Sequence, residues 1–294
     1  MSEKKTDEVW TPLRILQWAT PFLAQKGIAS ARFDAECLIA AALKLDRLKV
    51  YLQFDRPLDP GELSVIRDFL ARRAKREPVA YILGTREFYG KPFRVTPSVL
   101  IPRPETEHLV EGALEFLENL DSQTPEVLEL GVGSGCVAIS LALNSRARVY
   151  GVDLSPEALR VAAENGQNLG AGVEWRQGAW FSGLKEGDPT QFHLIVSNPP
   201  YIADAERTEM DLDVVDFEPK MALFSGPTGL EAYETISAKL WDHLLPGGRA
   251  YLEMHGTRSE AIQKVFQAHP WEREVRPDLA GLPRVLILKK SSNS

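Results

Sequence analysis

The chain has 294 residues, 44% hydrophobic and 26% charged, with a formal net charge of −7. This is ordinary globular composition on a chain longer than a typical domain of ~100–150 residues, so one large and one smaller domain are expected. No apolar run approaches the ~20 residues that span a bilayer, and the polar start Met1–Glu8 reads as neither a signal nor a transit peptide. Two isolated cysteines and five scattered histidines show no metal-ligand spacing, so the expectation is a cytoplasmic protein with no membrane segment and no metal.

Charge is unevenly distributed. Residues 1–86 hold fifteen Lys/Arg against eleven Asp/Glu, whereas the remainder holds nineteen against thirty. An acidic main part repels a phosphate backbone over its general surface, which argues against a nucleic-acid substrate.

The first stretch reads as helical. Thr11 and Pro12 suit a cap and first turn, Leu13 to Leu23 follow at helical spacing, and Pro21 predicts a kink or break. A second helix is expected from Ala31 to Leu43 with Phe33, Cys37, Leu38 and Ala41 on one face. Shorter helices cover Arg47–Phe54 and Gly61–Arg76, where Arg72, Arg73, Lys75 and Arg76 read as a solvated basic face. From Pro78 the texture turns to aromatics, glycine and proline, and Phe88–Val95 suits a hairpin turning at Gly90-Lys91. The expected domains are therefore residues 1–77 (helical), 78–103 (linker with hairpin) and 104–294.

Beyond Pro104, which opens a helix, strands alternate with helices. The strands are 127–130, 148–152, 173–177, 192–197, 249–254, 272–276 and 285–288. A helix spans 230–245, ahead of a turn at Pro246-Gly247-Gly248. This alternation predicts an α/β fold, a doubly wound, mostly parallel, seven-stranded Rossmann-like sheet. Ser291–Ser294 is expected to be a frayed tail.

Two loops carry chemistry. Gly131-Val132-Gly133-Ser134-Gly135 joins a strand to a helix, where glycines permit a tight turn and let backbone N–H groups approach a ligand. The next strand ends at Asp153, 18 residues past Gly135, where a carboxylate can take both hydroxyls of a ribose. Nicotinamide folds use Gly-x-Gly-x-x-Gly instead, and hydride transfer leaves the second loop unexplained. That loop is Asn198-Pro199-Pro200-Tyr201, after the run Leu194-Ile195-Val196. Asn198 offers a carbonyl acceptor for an N–H, Pro199 holds the preceding backbone extended, and Tyr201 offers a flat face. The pair of loops predicts methylation of an amino or amide nitrogen from S-adenosyl-L-methionine, with Glu129 available to the methionine end. An exocyclic base amine would be served almost as well as an amide. A cofactor-binding module without catalysis is the other alternative.

With Arg32–Glu36, Pro78–Gly84, Leu100–Glu107 and Phe217-Glu218-Pro219 added, the chain resembles the protein-release-factor glutamine N5-methyltransferases (the HemK-type class I methyltransferases) over nearly its whole length. The resemblance implies a front domain that recognises peptide chain release factors and a reaction at the side-chain nitrogen of the glutamine in their Gly-Gly-Gln loop. It implies cofactor binding by Gly131, Val132, Gly133, Ser134, Gly135, Asp153, Trp180 and Asn198. Asn198, Pro199 and Tyr201 are the implied catalytic residues, and Pro200 joins them in binding substrate. Residues near Phe88, Arg103 and Glu105 are expected at the entrance. Ala179 departs from the family pattern, which places an acid there against the adenine amino group.

Overall fold

The computed structural model describes residues 9–291. The expectations for Met1–Glu8 and for Ser292-Asn293-Ser294 fall outside them. The chain forms two units: one ends at Gly84 and takes in Asp211–Phe217, and the other comprises Thr85–Met210 and the chain from Glu218 onward. Of the segment 78–103, the helix Val79–Leu83 precedes Gly84 and the hairpin follows it.

The first unit is built from helices Pro12–Gln25, Ala31–Ala42, Arg47–Leu52, Pro60–Arg73 and Val79–Leu83. Thr11 caps the first helix by accepting from the Arg14 N–H, and the helix passes through Pro21 unbroken. The expected break does not occur, because burial of Ile15, Leu16, Ala19 and Leu23 along one stripe outweighs the single backbone bond a proline removes. Asp59 and Glu62 form a reciprocal capping box on the fourth helix, satisfying two backbone donors.

Two expectations in this unit are corrected. The buried face of Ala31–Ala42 is Ala31, Asp34, Ala35, Leu38 and Ile39, while Phe33 is exposed beneath the Arg47 guanidinium. The arginines after Ile66 do not form a solvated face either. Arg73 is buried; its Nε bonds Asp34 at 2.7 Å and a terminal nitrogen bonds Asp213 at 2.6 Å. Arg76 also reaches Asp213, at 2.8 Å, and Arg72 pairs with Glu77. The acids that turn these charges inward lie 39 and 140 residues from Arg73, beyond any periodicity argument.

The second unit opens with the hairpin β1 (Thr85–Phe88) and β2 (Lys91–Arg94). Phe88 is not at an entrance: it is 1% exposed and packs edge-on against Phe93. The main sheet comprises β3 (Glu126–Leu130), β4 (Arg148–Asp153), β5 (Val173–Gln177), β6 (Phe192–Ser197), β7 (Leu244–Glu253), β8 (Glu272–Pro277) and β9 (Pro283–Lys289). Its order is β5-β4-β3-β6-β7-β9-β8. Pairings from β5 to β7 are parallel, and those of β7 with β9 and of β9 with β8 are antiparallel. This is the expected doubly wound, seven-stranded sheet.

Side-chain alternation divides the core into two layers. Val127, Val149, Leu194 and Val196 face Leu109, Ala113, Val137 and Leu141. Leu128, Tyr150, Val152 and Ile195 face Tyr233, Ile236 and Leu240. Pro246-Gly247-Gly248, expected as a turn between helix and strand, instead lies within β7, which begins at Leu244. Register with β6 shifts between Phe192 and Leu194 to absorb the extra residues, as at a bulge. The order in which successive strands join the sheet reverses between the parallel neighbours β3 and β6, the switch point where doubly wound sheets leave a crevice at their carboxyl ends. Among the described residues, no helix is long and apolar enough to cross a membrane.

Candidate active site

The loops leaving β3, β4 and β6 enclose that crevice. Its walls include Gly131, Val132, Gly133, Ser134, Asp153, Trp180, Asn198 and Pro200 from the sequence-derived set, together with Glu129, Arg103, Thr106 and Ala179. Gly135, Pro199 and Tyr201 do not line it. A Cβ on Gly135 would stand 3.0 Å from both Ala162 and Trp175, so this glycine closes helix against sheet.

The glycine turn differs from expectation in one physical respect. Four of its five N–H groups are already engaged: Gly131 and Val132 donate to the Val152 carbonyl, and Gly135 donates to that of Val132. Gly133 donates to Asp153 Oδ2 at 2.9 Å. The turn therefore supplies shape more than donors. Gly133, at φ 52° with nothing within 4 Å of a would-be Cβ, keeps the cleft floor bare. Asn165, buried, locks the arrangement by donating to the carbonyls of Ser134 and Arg94.

Asp153 accepts one backbone N–H on each oxygen, from Gly133 and from Ser155. Each oxygen keeps a further lone pair. Burial raises its carboxyl pKa, and these backbone bonds oppose the shift. The cap of the following helix is Ser155. Glu129 is 2% exposed and accepts from the Ala138 N–H at 2.7 Å, in the first turn of Cys136–Asn144. Burial pushes this carboxyl well up despite that bond. The Trp180 backbone is held at φ 52°, a conformation costing a bulky residue on the order of 1–3 kcal/mol. The Ala179 carbonyl accepts from Ser182 twice, through its N–H and its hydroxyl.

Asn198 sits just past β6, and its amide nitrogen donates to Thr106 Oγ1 at 3.2 Å. Thr106 is buried, and its hydroxyl acts on the carboxyl of Glu253, the last residue of β7. Burial lifts the Glu253 carboxyl to about 7, opposed by the Thr106 bond; Glu105, Arg284 and Arg103 are the charged groups that face it. Tyr201 packs beside His255, ring centroids 5.7 Å apart. Burial and the Glu253 charge push its phenol up to about 12. Arg103, on the rim, is fixed by Glu218 at 2.5 Å, and Glu218 also accepts from the Ile101 N–H.

Sequence reasoning missed Thr106, Asn165 and Glu253. Glu253 carried a signal: a carboxylate ending the apolar run Ala250-Tyr251-Leu252 has no place in a fully buried strand without a task.

The cleft thus offers a two-oxygen acceptor for vicinal hydroxyls, a flat wall at Trp180, a buried carboxylate at Glu129, and an amide group at its mouth. This donor set fits the adenosine and methionine ends of the cofactor expected from the sequence.

Comparison with known proteins agrees along the chain. A family model described as PrmC N-terminal domain matches residues 14–84, and one described as Methyltransferase small domain matches residues 106–216. A release factor glutamine methyltransferase of Geobacter sulfurreducens is 45% identical over 267 residues, 90% of this chain and 91% of that relative. One from Koribacter versatilis is 40% identical over 266 residues, 90% and 93% of the respective chains. Among solved structures, a methyltransferase from Pyrococcus furiosus aligns with a TM-score of 0.50 at 18% identity, over 76% of this chain and 98% of that one. That last likeness concerns the fold alone.

Proposed function

Because the chain belongs to the release factor glutamine methyltransferase family, we propose that Asn198 and Pro199 carry its reaction. That reaction methylates the side-chain N5 of the glutamine in the Gly-Gly-Gln loop of peptide chain release factors. S-adenosyl-L-methionine supplies the electrophilic methyl carbon: its S–CH3 bond breaks as the N–C bond forms, and the electron pair returns to sulfur, leaving S-adenosylhomocysteine.

A carboxamide nitrogen is a poor nucleophile because its lone pair is delocalised. As the new bond forms, this nitrogen becomes tetrahedral and positively charged, so acceptors aimed at its two hydrogens bind the transition state better than the ground state. Asn198 Oδ1 and the Pro199 carbonyl are those acceptors. They also hold the amide in line for attack. The protonated amide is acidic enough to lose its proton to water, so no strong general base is required. Tyr201 flanks the amide plane, and Pro200 forms the adjoining wall. Asp153 takes the ribose hydroxyls, Gly131 to Ser134 shape the floor, Trp180 packs on the adenine, and Glu129 faces the methionine end. The front helical unit, residues 1–77 by sequence, docks the release factor.

The observation that supports this most directly is the Asn198 amide nitrogen tied to Thr106, which turns its carbonyl away from that bond. The test is incubation with methyl-labelled S-adenosylmethionine, a release factor and RNA together. Label on the glutamine of the Gly-Gly-Gln peptide, located by mass spectrometry, is the expected result. Label in RNA, or none in either, overturns the assignment.

A further inference from the structure

We propose that Thr106 is a positioning residue: held by Glu253, it fixes which end of the Asn198 carboxamide faces the substrate. The inference rests on the role given above to Asn198 Oδ1.

A carboxamide is nearly symmetric in shape but not in chemistry. One end accepts hydrogen bonds and the other donates them. Flipped by a half-turn, Asn198 would present an NH2 to the substrate NH2, donor against donor. Something must therefore set its orientation, and neighbours in the sequence do not. The group at bonding distance is Thr106 Oγ1, 3.2 Å from the Asn198 nitrogen and 92 residues away in the chain.

A threonine hydroxyl alone is ambiguous, since it donates one hydrogen and also accepts. Glu253 removes the ambiguity. Once ionised, as it becomes when pH rises through about 7, its carboxylate only accepts and draws the Thr106 hydrogen toward itself. The lone pairs left on Oγ1 then face Asn198, and only the NH2 end satisfies them. Thr106 and Glu253 have little room to rearrange: they are 3% and 5% exposed. Among the described residues Glu253 Oε2 has no hydrogen-bond partner. A buried carboxylate oxygen without a partner is costly, and it is hard to account for if the strand end needed only packing.

The decisive variants are Thr106→Val, of nearly equal shape without the hydroxyl, and Thr106→Ala, which tolerates imperfect packing better. Both are expected to lower kcat by about 10-fold or more, the effect of losing one oriented acceptor. The dissociation constant of S-adenosylmethionine, read by calorimetry, should stay within about 2-fold of wild type, because the effect falls on the chemical step. Thr106→Ser returns the hydroxyl and should restore turnover. Adding Asn198→Ala to Thr106→Val should cost nothing beyond Asn198→Ala alone, since residues acting as a unit are non-additive. Wild-type kcat in Thr106→Val or Thr106→Ala, or full additivity in the double variant, overturns the proposal while wild-type glutamine methylation still stands. Undiminished turnover in Asn198→Ala alone overturns instead the reading on which it rests.

Discussion

Two buried polar clusters in this protein contrast in how completely they are satisfied. In the helical unit, the Arg73 guanidinium spends its donors on Asp34, Asp213 and the Glu77 carbonyl, and Asp34 takes the Ser30 hydroxyl as well. Opposite charges meet at short range. In the sheet unit, Glu253 has one hydroxyl bond and an oxygen with no partner. The Asn198 carbonyl is directed away from its one protein bond. A balanced cluster holds a shape; an unbalanced one keeps bonding capacity in reserve for something that arrives later.

That contrast can be broken from either side. The largest expected effect is at the balanced cluster. Arg73→Ala leaves two carboxylates in a space built for a cation and should destabilise the protein by about 3–5 kcal/mol, visible as a lower midpoint in urea denaturation. Next is the pH dependence at Glu253. Its carboxyl is raised from 4.5 to about 7 in the folded chain, so the folded state holds a proton that the unfolded state releases. The stabilisation is complete below pH 4.5 and is lost as pH rises through about 7. Glu253→Gln should therefore be more stable than wild type at pH 8 by on the order of 2–3 kcal/mol. Thermal melts of the two proteins should converge toward pH 5.

The remaining effects concern function. Asn198→Ala removes an acceptor worth roughly 1.5–3 kcal/mol to a charged partner, so turnover should fall at least about 10- to 100-fold in a methyl-transfer assay. Asp153→Ala is expected to weaken S-adenosylmethionine by about 10-fold, with an unchanged circular dichroism spectrum. Equal affinity in a calorimetric titration would remove the ribose role from that residue.

How far the sequence could be read follows from the range of the interactions. The sheet was legible because short apolar runs such as Val127-Leu128-Glu129-Leu130 alternate with helical segments, a local pattern, and so was the crevice, since the glycine turn, Asp153 and Asn198 each stand at the end of such a run. The continuity of the helix through Pro21 could not be read because burial of its apolar stripe is a tertiary gain no local rule contains. Arg73 could not be read as buried while its partner Asp213 was unknown. Thr106 shows the same limit at the candidate site: it stands in the stretch Leu100–Glu107, yet its meaning comes only from Asn198 and Glu253, at the ends of separate strands.

The left-handed backbone at Trp180 carries one more consequence. The turn around it is interlocked, with a Cβ on Gly178 lying only 2.4 Å from the Gly183 Cα, so the backbone that carries the indole has little slack. Replacing Trp180 by glycine would release that turn from its left-handed strain but would also strip an indole from the edge of the core, so the two effects on stability oppose each other.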